Sequence, residues 1–152
     1  MTARDIATHI DIAAAPALVW RVLGDWAAYP EWNPFIVGLH GRQQVGSRLV
    51  LSLHPPGRPR LTLRPRLEVW QAVDELAWQA RALLPGLLDC RHGFQLEALE
   101  NGGTRLHQTA NLSGLLLPLL GPALLADIRQ GLEMMNQALK RRAETLASAA
   151  AA

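Results

Sequence analysis

His92, Cys90, Gln108 and Thr8 are the polar residues placed where they could do chemistry, because each sits in the apolar phase of an alternating stretch. In residues 90–99, Phe94, Leu96 and Ala98 share one face, and period-two geometry puts His92 and Cys90 on it too. In residues 104–112, Gln108 shares a phase with Leu106, Ala110 and Leu112, and Thr8 falls between Ile6 and Ile10. A histidine among apolar neighbours can orient a ligand carbonyl or act as a general base. The plainer alternative is a histidine hydrogen-bonded within a sheet or at its rim. Asp89 and Arg91 flank His92 but point the opposite way in a regular strand, so no carboxylate in the sequence orients it. His92 is the single catalytic candidate. His9, His40 and His107 are out of the inward phase, no HxxxH or HExxH spacing occurs, and Cys90 is the only cysteine. No metal, cofactor or disulfide is expected.

The elements that must position these residues are legible in order. Ile6, Ile10 and Ile12 mark a first strand. Pro16 suits the first position of a short helix carrying Val19, Trp20 and Leu23, and Gly24 ends it. A helical turn around residues 27–29 precedes Pro30. Strands follow at 36–40, 48–54, 60–70, 75–82, 90–99 and 104–112. Pro55-Pro56-Gly57 and Asn101-Gly102-Gly103 are turn signals, and Pro65 argues for an edge or bulge. Leu124, Ile128, Leu132, Met135, Leu139, Ala143 and Leu146 recur at helical spacing and define one long amphipathic helix. Consecutive strands with helices at the ends give an α+β domain, a curved antiparallel sheet covered by the C-terminal helix.

Residues 10–35, with Ala-Pro, Gly-Asp and then Trp26, Tyr29, Trp32 and Asn33-Pro34, resemble the opening of the START-type, birch-pollen-allergen-like (SRPBCC) superfamily. The likeness is closest to its bacterial polyketide cyclase/dehydrase-like branch. Arg64-Pro65, Glu75-Leu76-Ala77-Trp78, His92-Gly93-Phe94 and Ser113-Gly114-Leu115-Leu116 extend it to about Leu146. The resemblance implies a helix-grip fold with an internal apolar cavity. Relatives often carry an acid at the position of Ala110, so one acid/base candidate of the family is missing here.

The 152 residues are read as one domain, with 146–152 a frayed tail. A composition 49% hydrophobic and 18% charged fits a globular chain. Formal charge is only +2, all basic residues but Lys140 are arginines, and no basic stripe exists, so a nucleic-acid partner is not expected. The start, MTARDIATHIDI, lacks the apolar run of a signal peptide. The longest apolar tract, 115–125, is interrupted by Pro118, Gly121 and Pro122, too short to span a bilayer. A cytoplasmic monomer or homodimer follows as the expectation, with transient membrane contact open. The expected function is binding of a small hydrophobic, lipid- or polyketide-like molecule. Its expected contacts are Thr8, Trp32, Leu49, Leu51, Trp78, His92, Phe94, Leu96, Gln108, Leu132, Met135 and Leu139. The alternatives are a cyclase or dehydratase using His92, and a protein-partner module. Trp20, Trp26, Tyr29 and Trp32 read as packing anchors or as a stacking platform. The leucine-rich connectors 83–88 and 115–120 read as a gate to the cavity or as ordinary packing.

Overall fold

In the computed structural model, which describes residues 3–82 and 84–151, the opening alternation becomes strand β1 (Ala3–Ile12), with Ile6 and Ile12 buried. Helix α1 (Pro16–Gly24) starts on Pro16, whose missing N–H would have no intrahelical partner there, and turns Val19, Val22 and Leu23 inward. A 3-10 turn, Trp26–Ala28, then runs straight into α2 (Tyr29–Trp32). The helical turn expected to stop before Pro30 therefore continues through it. Proline in the first turn of α2 removes no helical hydrogen bond.

Seven further strands follow: β2 (Ile36–His40), β3 (Val50–Leu53), β4 (Leu61–Leu63), β5 (Arg66–Gln71), β6 (Glu75–Ala82), β7 (Leu88–Ala98) and β8 (Thr104–Ser113). All ladders are antiparallel, in the orders β1-β8-β7-β6-β5 and β2-β3-β4. Residues 60–70, expected as one strand, are two. Pro65 has no N–H to give a ladder, so the chain changes partners there: β4 pairs with β3 and β5 with β6. The two sheets stay joined at this kink. The Pro65 carbonyl accepts the Leu49 N–H at 2.7 Å, and the Leu67 N–H reaches the Ser47 carbonyl at 2.9 Å. Arg48, expected inside β3, makes only an isolated bridge to Arg66. Ala98, expected to face inward, is exposed because β7 has already run past the core toward its turn.

Helix α3 (Pro122–Ala151) lies in the concave face, burying Leu132, Met135, Leu139 and Ala143 together with Gly131, Asn136 and Ala138. Residues 146–151, expected as a frayed tail, are helical to Ala151, since an alanine-rich run has the highest helix propensity. Two contacts tie this helix to the end of β1. Glu144 accepts the Ala13 N–H at 2.8 Å, and Lys140 donates to the Asp11 carbonyl at 2.8 Å. The buried apolar side chains form one cluster between sheet and helix. The architecture is the α+β helix grip.

Candidate functional site

Register decides which inward side chains meet. Across the sheet, Thr8 stands opposite Gln108 and Gln108 opposite Phe94; one row on, Ala110 faces His92 and His92 faces Trp78. Diagonal neighbours in an antiparallel sheet are within reach of long side chains. His92 Nε2 accordingly meets Gln108 Oε1 at 2.8 Å. Gln108 Nε2 donates to the Leu132 carbonyl of α3 at 3.2 Å and to Asn136 Oδ1 at 2.6 Å. Asn136 Nδ2 donates to Thr8 Oγ1 at 2.9 Å, and the Thr8 hydroxyl donates to the Gln108 carbonyl at 2.9 Å. A buried polar chain thus crosses from the helix to the sheet, as burial of amides requires.

The His92 ring is held on both sides by aromatics, with Trp78 edge-on at 5.1 Å and Phe94 stacked at 4.6 Å. Burial disfavours the imidazolium and pulls its pKa down to about 4, with the Gln108 hydrogen bond opposing the shift. His92 is therefore neutral near pH 7. Cys90, one alternation away, has its thiol pushed up to about 11 by burial and stays protonated.

On one side of His92 the grip is not filled. A cavity of about 290 Å³ opens there. The start of α3 supplies Leu124, Ile128 and Leu132 to its wall, with Leu120 just before it, and β3 and β4 supply Leu51, Leu53, Leu61 and Leu63. Phe35 and Pro55 complete that side, and the opposite wall is Trp78, Ala80, Ala82, Leu88, Cys90, His92, Ala110 and Leu112. The physical reason for the void is residue size. Three of the inward positions on β6 and β8 that border the cavity are alanines, 80, 82 and 110, so the sheet surface recedes from the helix there. Among the described residues that line the cavity, Trp78, Cys90 and His92 are the ones with a side-chain heteroatom.

The expected contact residues therefore divide by position. Leu51, Trp78, His92 and Leu132 stand on the wall. Gln108 and Thr8 are reached only through the hydrogen-bonded chain behind His92. Phe94, Leu96, Met135 and Leu139 are packed in the solid half of the core, and Leu49 packs beside Gly41. Trp32 lies outside the cavity. It meets Tyr29 edge-on at 5.1 Å and borders a surface cleft with Arg21 and Arg142. The other members of the aromatic tract are also spent on packing: Trp20 meets Trp70 tilted at 5.0 Å and Trp26 meets it edge-on at 5.7 Å, and the Tyr29 hydroxyl donates to the Leu23 carbonyl. Asn136 was missed by the sequence reading. The signal was there, because position 136 falls on the helical stripe through Leu132, Leu139 and Ala143.

The two leucine-rich connectors run side by side. The Leu115 N–H donates to the Gly86 carbonyl at 3.1 Å and the Leu116 N–H to the Leu87 carbonyl at 2.9 Å. Gly114 permits this with φ +126, its missing side chain leaving room for the Leu87 carbonyl. Leu88 and Leu120 face the cavity, Leu117 is buried, and Leu84, Leu115 and Leu119 are exposed. Leu83, the first residue of that connector, lies outside the described residues. Among the described residues no helix is long and apolar enough to cross a membrane, and no group of three His, Cys, Asp or Glu is placed to hold a metal ion.

Comparison with known proteins agrees with this fold. Residues 3–144 match the sequence profile of the family described as polyketide cyclase / dehydrase and lipid transport. Among curated proteins none matches significantly. The fold is similar to that of a START superfamily protein from Mycobacterium smegmatis, at TM-score 0.75 and 20% identity over 93% of this chain and 98% of that one. It is equally similar to the Zhui aromatase/cyclase from Streptomyces sp. R1128, at TM-score 0.75 and 20% identity over 94% of each chain. It also matches Ara h 8.0201, at TM-score 0.72 and 12% identity over 95% of this chain and 99% of that one.

Proposed function

The chain belongs to the polyketide cyclase/dehydrase and lipid transport family, and on that premise we propose that it binds a small apolar molecule, lipid- or polyketide-like, between the sheet and α3. The observation that carries this reading is the cavity itself, about 290 Å³ walled by aliphatic and aromatic side chains with His92 among them. Apolar burial supplies roughly 25 cal/mol per Å² before the costs of association, and the few polar atoms set orientation. The cyclase or dehydratase alternative needs His92 as a base. A pKa near 4 makes the ring a weak one at neutral pH. Binding is therefore the better supported reading, and a turnover that falls in His92→Gln is the mark of the alternative.

The direct test is titration with a naphthalene-class fluorescent probe while following tryptophan emission, since Trp78 is on the wall. Saturable binding near one to one is expected. Ala110→Leu should lower the affinity while keeping or raising thermal stability, because it fills the void that the small residue leaves. Probe binding unaffected by Ala110→Leu would place the site elsewhere.

Ligand entry is assigned to the end of the grip covered by the two connectors. Leu84, Leu115 and Leu119 expose apolar surface beside the cavity residues Leu88 and Leu120, which supports transient contact with a lipid surface. Leu119→Glu should change stability by less than about 0.5 kcal/mol, as an exposed position does, yet slow probe transfer from lipid vesicles. Unchanged transfer rates would remove this route.

A further inference from the structure

We infer, on the premise that the cavity holds an apolar ligand, that the chain Thr8–Asn136–Gln108–His92 fixes His92 as a hydrogen-bond acceptor. The site then selects an apolar molecule that presents a hydroxyl donor over one offering only a carbonyl or ether oxygen. The direction of every hydrogen bond in the chain follows from two backbone carbonyls, which can only accept. The Leu132 carbonyl takes a bond from Gln108, so the contacting atom of Gln108 is its NH₂ nitrogen. The Gln108 carbonyl takes the Thr8 hydroxyl proton, so Thr8 Oγ1 is an acceptor toward Asn136 and the contacting atom there is the Asn136 NH₂. Asn136 Oδ1 is then left to accept the second proton of Gln108. All four contacts agree on one orientation of both amides. Gln108 consequently turns its Oε1 toward His92, and an amide oxygen has no proton to give.

His92 Nε2 must therefore carry the proton. Burial keeps the ring neutral, so Nδ1 carries a lone pair and no hydrogen. Among the described residues Nδ1 has no protein partner, while the ring itself forms part of the cavity wall. The other heteroatoms of the wall are donors first: the Trp78 indole N–H and the protonated Cys90 thiol. His92 Nδ1 is thus the strong side-chain acceptor of the wall. The sequence leaves His92 open to orienting a ligand carbonyl, to acting as a base, or to hydrogen bonding within the sheet. Orienting a carbonyl from His92 needs a ring N–H aimed at the ligand, and the single N–H of the neutral ring is already committed to Gln108. Gln108, Asn136 and Thr8 act as positioning residues, since none of the three is on the wall.

The test compares naphthalene, 2-methoxynaphthalene and 2-naphthol, which share a ring system and differ in hydrogen-bonding ability. The methoxy compound keeps the acceptor oxygen and lacks the donor. The expected result is that 2-naphthol binds about fivefold or more tightly than 2-methoxynaphthalene, the effect of one hydrogen bond. His92→Phe should bring those two affinities together. Long-range proton–nitrogen correlation spectra of the unmodified protein should show His92 protonated at Nε2, and Gln108→Leu should give a mixture of tautomers. If none of the three probes binds, the ligand-binding reading falls and this inference falls with it. If all three bind with equal affinity, or if His92 carries its proton on Nδ1, the cavity reading stands and donor selection is overturned.

Discussion

Gly131→Val will cost the fold about 3 kcal/mol or more. A glycine in the middle of a helix is unfavourable by about 1 kcal/mol relative to alanine, so its presence in a 30-residue helix calls for a cause. The cause is Phe35. A Cβ built on Gly131 would fall among the ring atoms Cδ1 and Cε1 of Phe35 and meet Cγ at 3.0 Å. The ring cannot retreat by moving its backbone. Asn33 Oδ1 accepts both the Phe35 N–H at 3.0 Å and the Ile36 N–H at 2.9 Å, which fixes the entry to β2. The ring helps to wall the cavity, and that open volume is where it can give way. Gly131→Ala therefore separates two quantities. It should destabilise by about 1–3 kcal/mol, the usual range for overpacking, and should also weaken naphthalene-class binding because Phe35 moves into the ligand volume. Denaturant unfolding and probe titration on the same two variants read both effects. A Gly131→Ala protein as stable as the parent would mean that the helix and the Phe35 ring are not in tight contact.

How much of this was legible in the sequence depends on the kind of geometry involved. Facing was legible, because strand alternation is local: His92, Gln108 and Leu112 were placed inward from period two alone, and all are buried. Filling was not. Phe94 and Trp78 face the same way, yet only Trp78 meets the cavity. What separates them is the accumulated small volume of Ala80, Ala82 and Ala110 on neighbouring strands, a sum over residues distant in sequence. Partner choice was not legible either. Pro65 announced a break in residues 60–70, but that the first half would pair with β3 and the second with β6 is a non-local outcome. Asn136 was hidden for another reason. On a long helix a polar residue beside Met135 reads as part of the solvent face, and only counting along the stripe from Leu132 shows it turned to the sheet. Its partner Gln108 lies 28 residues earlier, so neither residue announces the other.

Between pH 6.5 and about 4 the protein should lose on the order of 3 kcal/mol of stability through His92 alone. The sign follows from proton counting. The unfolded chain binds a proton at this histidine near pH 6.5, whereas the folded chain, with the ring buried among Trp78, Phe94 and Gln108, takes it up only near pH 4. Above pH 6.5 neither state is protonated and the residue contributes no slope. Through the window the unfolded state holds more protons, so stability falls as pH falls, and below about 4 both states are protonated and the slope ends. Carboxylates add acid sensitivity of the same sign. Asp11 is held below its ordinary pKa first by the hydrogen bond from Arg105, and Glu144 first by the Ala13 N–H. Both lie on the surface away from His92 and persist in any His92 variant, so a difference measurement removes them. His92→Gln is the suitable reference, because an amide can still donate to Gln108 Oε1 but cannot titrate. Urea unfolding of both proteins at half-unit steps from pH 7 to pH 4 should give curves that run parallel above pH 6.5 and separate below it, the parent falling faster. If the two stay parallel down to pH 4.5, the folded protein accepts the proton as readily as the unfolded chain. The Gln108–Asn136–Thr8 chain would then yield to a charged ring instead of excluding it, and the rigid acceptor geometry argued for His92 would not survive that result.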